Sequence, residues 1–309
     1  MNTTDPIKAL ERVNGEYIRL KEYEPGYARL GRNLNEFGQA FPFHLFGWAS
    51  RVLRRRALRK KNRSVSRKVK PEEMYFASPM PVEDKRGAIY TCVTNGYDDP
   101  HEPMLSSAQT DYVLFSDRRE IAGDSVWQLR SADTAVAEGG VNLTNRYYKF
   151  HPHEFFGDYD YAIYIDGNVQ VVSDLTGLYR VASGAPTGIA MHRHFARRCI
   201  SMEVKWCEYN GRGDTEKLCA QAKRYFDEGF PKDFGMCEAT VIVTDLRNPN
   251  ARKLLEAWWE EYLRAEGGRD QIVFPYILWK NGFTIDDVGD LGNDEYHNPK
   301  FRIFAHKGK

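Results

Sequence analysis

Between Tyr159 and Val172 an apolar run, Tyr161-Ala162-Ile163-Tyr164-Ile165, delivers two oxygen-bearing side chains, Asp166 and Asn168, to a turn around Gly167. Oxygen ligands at the mouth of a buried strand suit a hard divalent cation held against a diphosphate. The same residues also read as a hairpin, because Asp-Gly between alternating apolar residues is a strong turn signal. Taken alone, the segment leaves the two readings level.

Other residues able to do chemistry recur at predicted strand ends. Gly87 to Asp99 reads as a short strand running into a polar turn, where Thr91, Asn95 and Tyr97 are placed to receive a base and ribose; an ordinary strand-to-turn transition is the rival. Asp111 to Asp117 repeats the pattern and ends on Asp117. The stretch from Thr144 to Phe156 reads as helical, with Arg146 and Lys149 either reaching a diphosphate or acting as surface cations. His192 and His194, two apart on a strand, face the same way. Lacking the further ligands of a zinc site, they are better suited to hydrogen bonding with a sugar or phosphate. Glu238 precedes the β-branched run Ala239 to Val243, where a buried carboxylate needs a partner. In Arg269-Asp270-Gln271, Asp270 reads as a helix N-cap.

The elements that must position these residues fit a large α/β protein. The chain has 309 residues, 42% hydrophobic and 28% charged, long enough for a sizeable core. A net charge of +1 gives no whole-molecule field for nucleic acid, and none is expected as a partner. Five cysteines without a C-x-x-C pair argue against a disulfide framework and a zinc ribbon, and point to a reducing cytoplasm. No apolar run is long enough to span a membrane, and Met1 to Asp5 does not read as a signal peptide. Residues 1–80 read as a basic, partly helical arm and linker, and 81–309 as the main domain. Within the arm, aromatic residues from Phe41 to Trp48 precede eleven Lys or Arg between Arg51 and Lys70 with no acidic residue. That composition suits peripheral contact of 41–70 with anionic lipid, or a solvated tail with no specific partner. Further on, a helix is expected over 214–228, a second capped by Asn250 with Trp258 and Trp259 in the core, and a third bent or shortened at Pro275.

The order of elements resembles a GT-A glycosyltransferase. It sets a nucleotide-binding strand at Ala88 to Cys92, a strand ending at Asp166-Gly167-Asn168, the Ala239 to Val243 strand, an Asp270-Gln271 helix and a late His. The nearest resemblance is to the family of plant mucilage-related hexosyltransferases and bacterial polysaccharide enzymes, carried by His192-Arg193-His194, Glu238, Glu256 to Tyr262 and Arg269 to Tyr276 over about residues 86–306.

That resemblance implies a Rossmann-type mixed sheet flanked by helices. It also implies transfer of a hexosyl unit from a nucleotide sugar, UDP-linked by expectation, to a hydroxyl of a glycan or glycoconjugate, assisted by Mn²⁺ or Mg²⁺. The implied metal ligands are Asp166, Asn168 and His306, with His297 second. Asn168 stands where glycogenin-like relatives carry a second Asp, so it brings an oxygen without formal charge. Donor binding falls to Thr91, Asn95, Tyr97, Asp117, Arg146, Lys149 and Asp166, acceptor contact to His192 and His194, and catalysis to Glu238, Asp270 and Gln271. Retention is the expected stereochemistry; inversion would need Glu238 or Asp270 as base. A sugar nucleotidyltransferase is disfavoured by the missing glycine-rich phosphate loop, and a non-catalytic glycan- or nucleotide-binding module is the other alternative. The expected location is the cytoplasm, peripheral on the cytoplasmic face of a membrane if the arm binds lipid.

Overall fold

Strands β1 (Gly87–Val93) and β4 (Tyr161–Ile165) are buried along their whole length, the mark of sheet covered on both faces. They form the centre of a seven-stranded sheet with β2 (Thr110–Ser116), β3 (Trp127–Ser131), β6 (Ile189–Arg193), β7 (Cys237–Asp245) and β8 (Gly289–Asp290), in the order β3-β2-β1-β4-β7-β6-β8. The computed structural model describes residues 84–107, 109–133, 141–194, 196–266, 268–292 and 298–307. The basic arm, with its 41–70 stretch, and His297 lie outside the described residues.

Only β7 runs against the other strands of this sheet. The carboxyl ends of β1, β2, β4 and β6 and the amino end of β7 therefore share one edge. From β1 the chain steps outward to β2 and β3, then returns to place β4 on the other side of β1. Such a reversal opens a crevice between two strand ends, where ligands bind in open α/β sheets. The Asn95 turn leaves β1 at this point, and the Asp166 turn leaves β4.

Side chains alternate along β4, Tyr164 and Ala162 entering one core and Tyr161, Ile163 and Ile165 the other. The first core is closed by residues of helices α1 (Val141–Phe150), α4 (Ile200–Asn210), α5 (Thr215–Asp227), α6 (Pro249–Ala265) and α7 (Asp270–Lys280), with the short α2 (Pro152–Phe155) beside α1. The second is covered by α3 (Leu178–Ser183) and a separate two-stranded sheet of β5 (Val169–Val171) and β9 (Phe301–Ile303). Trp258 is fully buried between Phe150 and Phe274, as its helical spacing predicts.

Several local expectations change. The hairpin reading fails, because β5 leaves the main sheet and pairs antiparallel with β9. The helix expected from Thr144 to Phe156 is two, broken at His151 because Pro152 disfavours helical geometry in the residue before it. Asn248, not Asn250, caps α6: its side chain accepts the Asn250 amide, and Pro249 takes the first helical position. Arg269 holds the N-cap position of α7, and Asp270 is the first helical residue. Pro275 lies inside α7, which nevertheless continues to Lys280. The helix expected over 214–228 forms as α5, and Asp214 caps it by accepting the Lys217 amide.

Candidate active site

The turn after β4 is held from both sides. The Asp166 amide donates to the Thr240 carbonyl of β7 at 3.0 Å, and the Val169 amide donates back to the Asp166 carbonyl at 3.0 Å. Gly167 has no room for a side chain: a Cβ there would lie 2.5 Å from Val93 Cγ2 and 3.2 Å from Asp98 Cβ. The glycine thus lets the β1 loop close directly onto this turn.

Beneath the turn lies a charged cluster. Tyr164 donates its hydroxyl to Asp166 Oδ1 at 3.0 Å, and Lys149 Nζ stands 3.9 Å from the same oxygen. Lys149 is almost fully buried and bonds Asp270 Oδ2 at 2.9 Å, while Arg146 Nε lies 3.2 Å from that oxygen. Burial by itself would raise the Asp270 carboxyl; Arg146, Lys149 and Arg269 outweigh it and hold the group well below the usual carboxylate range. Two cations and two carboxylates thus meet with formal charge balanced, as a buried ionic cluster requires.

Above the turn, the β1 loop and the C-terminal segment clasp each other. Asn95 and Gly96 both adopt positive φ, 57° and 62°, and Asp117 Oδ2 accepts the Asn95 amide at 2.7 Å. Asp98 then holds His306, with Oδ2 and Nδ1 3.0 Å apart, and accepts the Lys307 amide through Oδ1 at 3.2 Å. Asp99 pairs with both Lys307 and Arg118. The segment is brought there by β9: the Phe304 amide donates to the Asn168 carbonyl at 3.0 Å, and Asn168 Nδ2 donates to the Phe304 carbonyl at 2.7 Å. The Tyr97 and His306 rings are 5.2 Å apart.

A second buried network lies toward α4. His194 Nδ1 is 3.1 Å from Glu238 Oε1, and His194 Nε2 is 3.9 Å from Glu203 Oε2. Glu203 also pairs with Arg197 and with Arg269, the latter at 2.8 Å, and Arg269 donates to Gln271 Oε1. Burial, aided by Arg197 and Arg269, pushes the His194 imidazole down to about 3, so it is neutral near pH 7. His192 is fully buried in β6, edge-on to Phe301. Both histidines therefore sit within the fold and offer little surface to an acceptor. Thr91 is buried in mid-strand, short of the loop, and its hydroxyl finds no partner among the described residues.

Sequence reasoning thus placed Asp166, Asn168, Arg146, Lys149, Asp270, Gln271 and His306 around one edge. It counted Asp98 only as an acidic strand end and gave it no role, and it passed over Tyr164 and Glu203. The Asp98-Asp99 pair directly after the turn was the available signal for the first of these.

For a divalent cation the available donors are the Asp166 carboxylate, the Asn168 amide oxygen and His306 Nε2. Asn168 Oδ1 makes no protein hydrogen bond among the described residues, and Asp98 engages His306 through Nδ1, leaving Nε2 as the ligating nitrogen. A carboxylate that holds the far nitrogen is the usual support of a metal-binding imidazole. These residues fit Mn²⁺ or Mg²⁺. No three His, Cys, Asp or Glu side chains among the described residues cluster closely enough to hold a metal.

The architecture is α/β, a mixed seven-stranded sheet flanked by helices, and the proteins it is similar to are glycosyltransferases. Residues 141–288 match the family model described as TOD1/MUCI70, glycosyltransferase-like domain, a span running from α1 past α7 that contains Arg146, Lys149, Asp166, Asn168, Glu238, Asp270 and Gln271. Solved structures similar to the chain include an apo structure of the bifunctional glycosyltransferase WbbM (14% identity, TM-score 0.40, covering 68% of this chain and 39% of WbbM). They also include the galactosyltransferase LgtC with donor and acceptor sugar analogs (10%, 0.38, 65% and 71%) and mouse xyloside xylosyltransferase 1 (11%, 0.36, 73% and 96%). The chain thus spans well under half of WbbM. No curated protein matches it.

Proposed function

We propose that this protein transfers a hexosyl unit from a UDP-linked sugar to a hydroxyl of a glycan or glycoconjugate, with retention of configuration and with Mn²⁺ or Mg²⁺. The observation that supports this most is the return of β9 to β5, which sets His306, held by Asp98, over the turn that carries Asp166 and Asn168. Asp166, Asn168 and His306 would hold the cation, which when bound supplies Lewis-acid stabilisation of the departing diphosphate. The protein's own groups add to this. The first turn of α7 directs the positive end of its dipole at the same edge, and Arg146 and Lys149 raise the local potential. The Asn95 and Tyr97 turn, tied down by Asp117, offers a rigid seat for the nucleoside.

Retention is supported by the state of the carboxylates. A base that deprotonates an acceptor in advance works best with a pKa near the operating pH. Asp270 is held far below that range by its cations, and Glu238 lies against His194 inside the fold.

The test is a panel of UDP-sugars assayed for UDP release with and without Mn²⁺, together with UDP-induced thermal shift. Asp166→Ala is expected to abolish turnover while keeping the wild-type fold, since Lys149 retains Asp270 as its partner. No thermal shift by UDP or any UDP-sugar would refute the reading. We further propose that the basic 41–70 stretch brings the protein to anionic membrane on the cytoplasmic face. Flotation of the full chain with phosphatidylserine vesicles at low salt, lost in 0.5 M salt, is expected; no flotation would refute it.

A further inference from the structure

The catalytic reading leaves one buried acidic group without a task. Glu203, on α4, is fully buried and is the hub of two arginines, Arg197 and Arg269. Arg269 reaches Glu203 Oε1 with Nε and spends its Nη2 on the side-chain oxygen of Gln271, in the first turn of α7. A guanidinium has only donors, so the Gln271 atom that faces it must be the carbonyl oxygen. The amide NH₂ is thereby turned to the opposite side, and among the described residues it donates to no protein acceptor.

We propose that Glu203 and Arg269 are a positioning pair that fixes the Gln271 amide with its NH₂ group presented to the sugar-transfer centre as a hydrogen-bond donor. The placement of α7 supports this. Asp270, the neighbour of Gln271, bonds Lys149, and Lys149 stands 3.9 Å from Asp166. Gln271 is also nearly buried, with only a sliver of surface left for a ligand.

A side-chain amide turns about its last torsion at little cost, so an unrestrained glutamine presents either its oxygen or its nitrogen. The rigid fork of Arg269, anchored on a fully buried carboxylate, removes that choice. With one lone pair of its oxygen taken by a cationic donor, Gln271 is a poorer base and nucleophile through that atom. What it can do is donate to an oxygen of the sugar or of the leaving phosphate, and such a donor adds most when it is already oriented before charge develops. The planar fork matters as much as the charge: a lysine at position 269 could satisfy Glu203, but its single ammonium could not also hold Gln271 in this geometry.

The inference rests on the glycosyl-transfer reading above, and the test separates the two. The probes are UDP, titrated calorimetrically, and the UDP-sugar that the wild type hydrolyses fastest, followed by UDP release. Arg269→Lys keeps a cation beside Glu203 but loses the second arm. Gln271→Glu keeps the contact with Arg269 and loses the NH₂. Each is expected to lower kcat by about 10- to 100-fold, the usual range for one oriented hydrogen-bond donor or slightly below it, with UDP affinity within about twofold of wild type. The double variant is expected to be no slower than Gln271→Glu alone, because the arginine acts only through the glutamine. Wild-type kcat in Arg269→Lys, or losses that multiply in the double variant, would overturn the positioning role. Should Arg269→Lys fail to fold, Gln271→Glu still decides: full activity in it overturns the donor role. A wild type that neither binds UDP nor releases it from any UDP-sugar overturns the transfer reading and this inference with it.

Discussion

Replacing Asn168 by Asp isolates what the amide at this position does. The change is nearly isosteric, but it removes the Nδ2 donor that holds the Phe304 carbonyl at 2.7 Å and sets a carboxylate oxygen against that carbonyl. Asn168 is 7% exposed and Phe304 is half-buried, so water only partly replaces the lost partner. A buried acceptor left unsatisfied costs about 1–3 kcal/mol. Taking about 2 kcal/mol, the C-terminal segment would open roughly 25-fold more often, at about 1.4 kcal/mol per factor of ten. The assay is amide hydrogen exchange over residues 301–307, without metal and with Mn²⁺. Without metal, the variant is expected to lose protection in this segment by roughly that factor while the strands of the main sheet keep theirs. Mn²⁺ is expected to restore protection in the variant more than in the wild type, because the carboxylate adds a charged oxygen ligand. Unchanged protection without metal would show that the Asn168 to Phe304 bond does not hold the segment. Equal responses to Mn²⁺ would refute the placing of this side chain among the metal donors.

Two further outcomes test the buried networks. Asp270→Asn strips the counter-charge from Lys149 and Arg146, and breaking a buried ion pair on one side costs about 3–5 kcal/mol. Thermal unfolding is expected to fall by roughly 6–20 °C at about 2–4 °C per kcal/mol, and an unchanged midpoint would refute the cluster's structural weight. His194 governs part of the acid response. It is neutral in the fold because burial, Arg197 and Arg269 push it down to about 3, against ~6.5 when unfolded. Its contribution is therefore complete above pH ~6.5. Below that, the unfolded chain binds a proton the folded chain refuses, and stability declines by about 1.4 kcal/mol per pH unit until the folded value near 3 is reached. Denaturant titrations between pH 4 and 7 should show this slope in the wild type and lose it in His194→Gln; stability that rises toward pH 4 would mean that the Glu203 and Glu238 carboxylates hold the ring in its protonated form instead.

Much of the framework was legible in the chain itself. The run before Asp166, the β-branched strand after Glu238 and the spacing of Leu254, Leu255 and Trp258 all depend on interactions within a few residues, where strand and helix periodicities act. The local misreadings came from positions where two short-range signals compete. Asn248 and Asn250 are both able to cap, and only the Pro249 between them decides in favour of the first. Asp270 has the composition of a cap, yet its carboxylate is drawn inward by Arg146 and Lys149. Pro275 forfeits one hydrogen bond inside α7, but burial of Phe274, Tyr276 and Leu278 around it keeps the helix intact.

By itself, then, the sequence determined the elements, their order and the delivery of Asp166, Asn168 and the Asp270-Gln271 pair to their ends. Which of these ends meet was decided only in three dimensions. Asp98 finds His306 across 208 positions, and Lys149 finds Asp270 across 121. No local periodicity encodes such pairs; they follow from the reversal of strand order beside β1 and from β9 joining β5 rather than β4. The turn after β4 is therefore part of the candidate site and not of a hairpin, because its downstream strand found its hydrogen-bonding partner in the C-terminal segment.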